Sequence, residues 1–130
     1  MDVVIGTSAL LAVILAEPER DRIVQVTRGH SLVGPGSIPW EVGNAFSALF
    51  KRKRISSNDV RRGLELFNEI PLRYVAINME HSLDIAEQAQ IYAYDAYLIE
   101  CAKQLSAPLL TLDKRLERVA TKLGINLMEV

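Results

Sequence analysis

The sequence predicts an α/β protein in which a mainly parallel sheet of four or five strands is covered by helices on both faces. Short runs of β-branched and apolar residues alternate along the chain with longer segments of helical periodicity. Parallel strands need long crossover connections, which helices usually supply. The alternation therefore indicates a parallel sheet buried between two helical layers.

Length and composition restrict the classes of protein that fit. With 130 residues, 49% of them hydrophobic, the chain is expected to form a single domain over residues 1–130 with a substantial core. The net charge of −1 excludes a protein that binds polyanions through its overall charge. A lone cysteine, Cys101, excludes a disulfide within the chain and fits a reduced, cytoplasmic protein. The apolar runs are too short to span a membrane, and no signal peptide is expected.

The first half of the chain is predicted to contain two strands and four helices. The strands lie at residues 2–5 and 31–33, and the helices at residues 8–16, 17–28, 39–50 and from 56 onward. Ser8 is a possible cap for the first helix, and Ser56 begins a cluster of capping residues before the fourth. The periodicity of the fourth helix predicts that Val60, Leu64 and Phe67 are buried.

The second half of the chain is predicted to continue the alternation. Its strands are expected at residues 73–77, 109–112 and 125–128, and its helices at 82–90, 96–105 and 114–123. Pro108 introduces the strand at 109–112, and Gly124 stops the last helix. No repeat or linker interrupts this pattern, which is typical of one α/β domain.

Three acidic residues are distinguished by their positions. Glu41 lies in the first turn of the helix after the second strand, Asp95 opens a later helix, and Asp113 directly follows a strand. Each could simply stabilise a helix N-terminus. Together with position 6, at the end of the first strand, they mark four loops at one expected edge of a parallel sheet. Such an edge is where open α/β sheets build their sites.

Four short motifs, in order, resemble the PIN domain family and most closely its toxin ribonucleases of the VapBC toxin–antitoxin type. They are TSALLA at residues 7–12, WEVGNA at 40–45, AYDAYL at 93–98 and LTLDKRL at 110–116. Each motif alone is weakly specific, whereas four in this order and spacing are strongly specific. The resemblance extends over nearly the whole chain and implies a PIN-like three-layer α/β/α fold.

The resemblance also implies a site that holds one or two Mg²⁺ or Mn²⁺ ions through four acids. Glu41, Asp95 and Asp113 fall on three of these positions, and Gly6 stands where the first acid is expected. Clustered carboxylates repel one another, and a hard cation relieves that repulsion. The implied activity is metal-dependent endoribonuclease cleavage by a type II toxin, impaired here because glycine has no side-chain ligand. Ser8 joins the acids as a candidate catalytic residue, because its hydroxyl could orient a metal-bound water or an acid.

The expected partners follow from the same resemblance. They are a cognate antitoxin, an RNA substrate and a second copy of the chain, with the helical segments 19–27 and 40–50 as candidate contact surfaces. The basic run Lys51, Arg52, Lys53 and Arg54 is a candidate RNA-phosphate patch, although cations also suit the last turn of a helix. Trp40 is expected to be a packing residue rather than a substrate platform.

Two alternatives differ in class from a nuclease. The first is a PIN-fold binding module that no longer cuts but still binds an antitoxin or RNA, and restoring the acid at Gly6 would discriminate it from an enzyme. The second is a phosphorelay receiver domain, which has a similar length and alternation. A receiver needs an acidic pair after its first strand, and none follows Ile5. The receiver is therefore the least favoured of the three.

Overall fold

The computed structural model describes all 130 residues and has a parallel sheet at its centre. Its strands are β1 (Asp2–Ile5), β2 (Ser31–Pro35), β3 (Leu72–Val75) and β4 (Leu109–Leu110). All pairings are parallel, and the strand order is β3-β2-β1-β4. Val4 of β1 is paired with Val33 on one side and with Leu109 on the other. The predicted parallel α/β sheet is confirmed, with four strands.

Seven helices connect and flank the strands. They are α1 (Thr7–Ile14), α2 (Arg20–Thr27), α3 (Ile38–Lys51), α4 (Ser57–Glu69), α5 (Met79–Ala89), α6 (Ala93–Leu105) and α7 (Lys114–Lys122). The predicted cap of α4 is confirmed: the Asp59 amide donates to the Ser56 hydroxyl at 3.1 Å, and the Ser56 amide donates back to the Asp59 carboxylate at 3.2 Å. No helix in the chain is long and apolar enough to span a bilayer.

The helices form two groups around the sheet, which gives the three-layer arrangement. Helix α6 contacts β1, β2 and β4 and is covered by α5, whereas α1 contacts α2, α3 and α4. The core is continuous across these layers and includes Val3, Val4 and Ile5 of the central strand. The prediction that Leu64 is buried is wrong, because its side chain is 39% exposed on α4, while Phe67 is buried as expected.

The last strands are shorter than their apolar patterns predict. β4 has only two residues, and the predicted strand at 125–128 is reduced to a single parallel bridge between Leu127 and Leu109. The Leu109 amide and carbonyl are hydrogen bonded to Asn126 and Met128, both at 2.9 Å. The chain leaves the ladder after Leu110 and turns toward α1, which brings the segment before Asp113 beside the end of β1.

Candidate active site

Gly6 directly follows β1 and has a conformation that does not require glycine. Its φ of −81° and ψ of 161° are extended values open to any L-residue. A Cβ atom built there would lie 3.5 Å from its nearest neighbours, the Leu110 carbonyl oxygen and side-chain atoms of Leu98 and Thr111. These are ordinary van der Waals distances. The backbone and its packing therefore accept a Cβ atom at position 6.

Glu41 is held by two hydroxyl groups from different parts of the chain. Ser37, one helical turn earlier, donates to Oε2 at 2.8 Å, and Thr7 at the start of α1 donates to Oε1 at 3.2 Å. Burial raises the pKa of the Glu41 carboxyl, the two hydrogen bonds oppose the rise, and the charge of Asp95 adds to it. The Glu41 carboxyl is thus partly shielded from water and feels the negative charge of Asp95.

Asp95 lies in the first turn of α6 but does not cap it. The helix begins at Ala93, and its N-cap position is occupied by Tyr92. Burial raises the pKa of the Asp95 carboxyl, and the charge of Asp113 raises it further, while Arg115 acts in the opposite direction. The expectation that Asp95 opens its helix is therefore wrong by two residues. Asp95 is also the electrostatic link between the other two acids.

Asp113 is the N-cap of α7. Its Oδ1 accepts hydrogen bonds from the amides of Arg115 at 2.9 Å and Leu116 at 3.2 Å. Asp113 therefore caps its helix, as expected for an acid at a helix N-terminus, whereas Asp95 does not. Only one carboxylate oxygen of Asp113 is used in this way, so the other is not committed to the cap.

Ser8 connects α1 to the segment that carries Asp113. Its hydroxyl accepts from the Leu112 amide at 2.9 Å and lies 3.1 Å from the hydroxyl of Thr111, which in turn accepts from the Asp113 amide at 3.2 Å. Ser8 does not cap its own helix, because Gly6 occupies the N-cap position of α1. These bonds favour a positioning role for Ser8, and its catalytic role stays a prediction.

A surface cavity of about 580 Å³ lies where α1, α3 and α6 begin. Glu41 and Asp95 both line it, together with Thr7 and Asn44. Aromatic side chains also line it, namely Trp40, Tyr92 and Tyr94. The expectation that Trp40 is a packing residue is wrong, because the side chain is 73% exposed.

The donor chemistry of the three acids suits a hard divalent cation, because carboxylate oxygens are the ligands that Mg²⁺ prefers. Glu41 and Asp95 line the same cavity, whereas Asp113 lies outside its lining but near enough for its charge to raise the pKa of Asp95. Even so, the structure contains no group of three or more Asp, Glu, His or Cys side chains that could hold an ion. The carboxylates are thus the right type of ligand for the metal, but too few of them lie close together to hold an ion. Gly6 is the position at which the resemblance implies a fourth acid.

The basic run at the end of α3 is separate from this cavity. Lys51 is the last helical residue, and Arg52 to Arg54 follow it in exposed turns. Ala45 is the cavity-lining residue of α3 nearest to the basic run, so about 9 Å of helix axis lies between the cavity and Lys51 at 1.5 Å per residue.

Sequence reasoning missed several residues that shape the site. Thr7 and Ser37 hold Glu41, and Tyr92 and Tyr94 line the cavity. The spacing of Ser37 four residues before Glu41 could have indicated their contact, because such pairs face each other on a helix. No local pattern marks the tyrosines, whose exposure depends on how α3 and α6 are placed.

Comparison with known sequences identifies the family. The PIN domain family matches residues 3–122. VapC ribonuclease Mb0985 of Mycobacterium bovis and ribonuclease VapC9 of Mycobacterium tuberculosis are each 28% identical to this chain over 116 residues, which is 88% of this chain and 87% of the relative. The similarity therefore runs through all four motif regions.

Solved structures agree with this result at the level of the fold. PAE2754 from Pyrobaculum aerophilum superposes with a TM-score of 0.64 and 17% identity over 95% of this chain and 90% of the other. VapBC2 from Rickettsia felis, solved bound to a DNA fragment from their promoter, superposes with a TM-score of 0.69 and 15% identity over 98% of both chains. Because the family match spans nearly the whole sequence and the architecture agrees, the chain belongs to the PIN domain family.

Proposed function

We propose that this chain is the toxin component of a type II toxin–antitoxin system, an endoribonuclease dependent on Mg²⁺ or Mn²⁺ whose activity is impaired by Gly6. The observation that carries the proposal is the cavity that Glu41 and Asp95 line together, although they are distant in the sequence, with the charge of Asp113 near enough to act on Asp95. The relatives named as VapC ribonucleases support the reaction class. The likeness to VapBC2 supports the fold of such a toxin.

The roles of the residues follow from their environments. Glu41, Asp95 and the uncommitted oxygen of Asp113 would hold the cation, which when bound lowers the pKa of water and stabilises charge on a phosphoryl group. Ser37 and Thr7 keep the Glu41 carboxylate oriented toward the cavity. Ser8 and Thr111 hold the segment that carries Asp113, which fixes the start of α7 relative to the start of α1.

The impairment is a matter of charge. An acid at position 6 would add a fourth carboxylate to the field of the other three, and a dication binds more tightly as the number of charged oxygen ligands rises. Gly6 contributes no side-chain oxygen. We therefore expect weak metal affinity and a low rate of RNA cleavage from the chain as it stands.

The second candidate function is a catalytically inactive PIN-fold module that binds an antitoxin or RNA. It is favoured by one specific observation, the lack of any group of three acidic or metal-ligating side chains placed to hold an ion. Under this proposal the acids that remain serve binding and stability. The two candidates make opposite predictions for the same substitution.

The partners proposed for either candidate are a cognate antitoxin, an RNA and a second copy of this chain, in the cytoplasm. Lys51, Arg52, Lys53 and Arg54 are exposed and would contact RNA phosphates away from the cavity. This contact carries no sequence information, because phosphates are the same in every RNA.

RNA cleavage by the unmodified chain and by Gly6→Asp tests the proposal. We expect Gly6→Asp to cleave RNA at least tenfold faster in Mg²⁺ or Mn²⁺, and EDTA to abolish the gain. Gly6→Asp combined with Asp95→Asn is the matched control and should return to the slow rate. If Gly6→Asp folds and still shows no metal-dependent cleavage, the inactive binding module is the correct function.

A further inference from the structure

The cavity that contains Glu41 and Asp95 is bordered by exposed aromatic rings. Trp40 is 73% exposed, Tyr92 80% and Tyr94 50%. Large aromatic side chains contribute most when they are buried, so a cluster of exposed ones around a concave site indicates a surface built for contact with another molecule. We call these three residues the aromatic rim.

The aromatic rim is assembled from two elements that are distant in sequence. Trp40 lies in the first turn of α3, whereas Tyr92 and Tyr94 lie at the start of α6. The ring of Tyr94 meets the edge of the Tyr97 ring, with 5.8 Å between centroids and planes 79° apart. This contact orients Tyr94, so part of the aromatic rim is ordered before any ligand binds.

Charge alone does not attract RNA to this cavity. Its walls carry Glu41 and Asp95 and no Lys or Arg, and the basic run of α3 lies at the opposite end of that helix. Arg115, whose charge reaches Asp95, donates a hydrogen bond to the Gln90 carbonyl. A nucleic acid that placed a phosphate here would therefore need a source of affinity that does not depend on protein cations. Stacking of bases on aromatic rings is such a source, because every base has a π face.

We propose that the aromatic rim stacks unpaired nucleobases of RNA and thereby holds the neighbouring phosphate over Glu41 and Asp95. The proposal deepens the proposed nuclease function and rests on it for the identity of the ligand. The stacking requires bases that are not paired, since the bases of a duplex are already stacked on one another. Asn44, on the same cavity wall, offers an amide for base edges.

Trp40 provides a direct probe, because it is the only tryptophan in the chain. Three ligands are titrated in Mg²⁺ while its fluorescence is recorded: a short unstructured RNA, the same RNA in a duplex, and an abasic chain of equal charge. Gel analysis checks that the RNA stays intact. We expect the single strand to quench Trp40, and the other two to quench it weakly.

Substitutions locate the contact. Tyr92→Ala and Tyr94→Ala should each raise the Kd for the single strand roughly tenfold, equivalent to about 1.4 kcal/mol. Tyr92→Phe and Tyr94→Phe keep the rings and should bind as the parent does. Tyr74→Ala is the matched control, because Tyr74 is 46% exposed on β3 and does not line the cavity. It should leave the Kd unchanged.

Two results would overturn the proposal that the aromatic rim stacks nucleobases. One is equal quenching by the abasic chain, with unchanged RNA affinity in both alanine variants. The other is that the alanine variants weaken binding of an arginine-rich peptide but not of RNA, which would make the surface a protein contact. Because binding is measured without cleavage, the nuclease function and the stacking role of the aromatic rim are tested independently. If Gly6→Asp binds RNA through the aromatic rings but does not cleave it, only the nuclease function is contradicted. If it cleaves RNA and its affinity does not depend on the rings, only the stacking role of the aromatic rim is contradicted.

Discussion

At the scale of single residues, the three acids of the site are not equivalent. Asp113 accepts two backbone hydrogen bonds as a helix cap, and Glu41 accepts two from side-chain hydroxyls. Asp95 has no hydrogen bond among the influences on its pKa, only burial and neighbouring charges. The three acids look alike in the sequence, so their different contributions to stability and to metal binding come from their partners.

Gly6→Asp should fold and bind Mg²⁺ more tightly than the parent. The extended backbone and the 3.5 Å distance from a Cβ at this position to its neighbours accept the first atom of the new side chain, and the added carboxylate would supply a charged ligand. Gly6→Ala is the control, since it adds the Cβ without the charge, and it should fold but bind no better. Calorimetric titration measures the affinities. Equal Mg²⁺ affinity in all three proteins would show that position 6 is not a ligand position.

Asp113→Ala and Asp95→Asn should have opposite effects on the metal-free protein. Loss of the cap at Asp113 should lower the free energy of unfolding by about 0.5–2 kcal/mol. Asp95→Asn removes a partly buried charge that is repelled by Asp113, so stability should stay unchanged or rise. Urea unfolding in EDTA compares them. A similar loss in both variants would mean that Asp95 also has a structural role.

At the scale of elements, the contact between α3 and α4 depends on one glycine. A Cβ at Gly63 would lie 2.5 Å from the Phe46 ring and 3.2 Å from Ile14. Phe46 and Ile14 are themselves buried parts of the core. The close approach of α4 to the layer formed by α1 and α3 therefore requires the absence of a side chain at this point.

Gly63→Ala should lower the free energy of unfolding by about 1–3 kcal/mol, the usual range for overpacking a core. Gly43→Ala is a matched control on α3, because a Cβ there would meet nothing within 4 Å. It should raise stability by about 0.5–1 kcal/mol, since alanine favours a helix more than glycine does. Thermal and urea unfolding of the two variants give the comparison. Equal effects would contradict the tight contact.

At the scale of the whole molecule, the site makes stability depend on pH. The pKa of Glu41 is raised above its usual 4.5 and that of Asp95 above its usual 3.8, in both cases first by burial. Between the unfolded and the raised folded values, the folded protein binds more protons than the unfolded chain. The contribution of these acids to stability therefore falls as pH rises through that window, and the loss is complete above the folded pKa values.

The double variant Glu41→Gln, Asp95→Asn should remove this pH-dependent loss. In EDTA, the Tm of the parent relative to the variant should fall from acid to neutral pH. Saturating Mg²⁺ at neutral pH should raise the Tm of the parent and leave that of the variant unchanged, because only the parent gains binding free energy. Melting curves at several pH values provide the test, and parallel curves for the two proteins would refute the assignment.

Local patterns in the sequence determined the α/β class, the order of the elements and the cap at Ser56, because each depends on neighbours within a few residues. The four motifs indicated the family before any contact was known. The acids Glu41, Asp95 and Asp113 stand out in the sequence by their positions after strands and near helix starts, and their role as one metal site stays a prediction. The sequence did not determine where β4 ends, since its apolar run continues past the last hydrogen bonds of the sheet.

Only the tertiary structure decided which surfaces are covered. Ser8 pairs with Thr111, 103 residues away, and no local pattern distinguishes that contact from a helix cap. Periodicity shows that a helix has an apolar face but not which element packs on it, so Trp40 and Leu64 were expected to be buried and are exposed. Likewise, the room at Gly6 and the lack of room at Gly63 are set by distant side chains. Those contacts exist only after the layers have assembled.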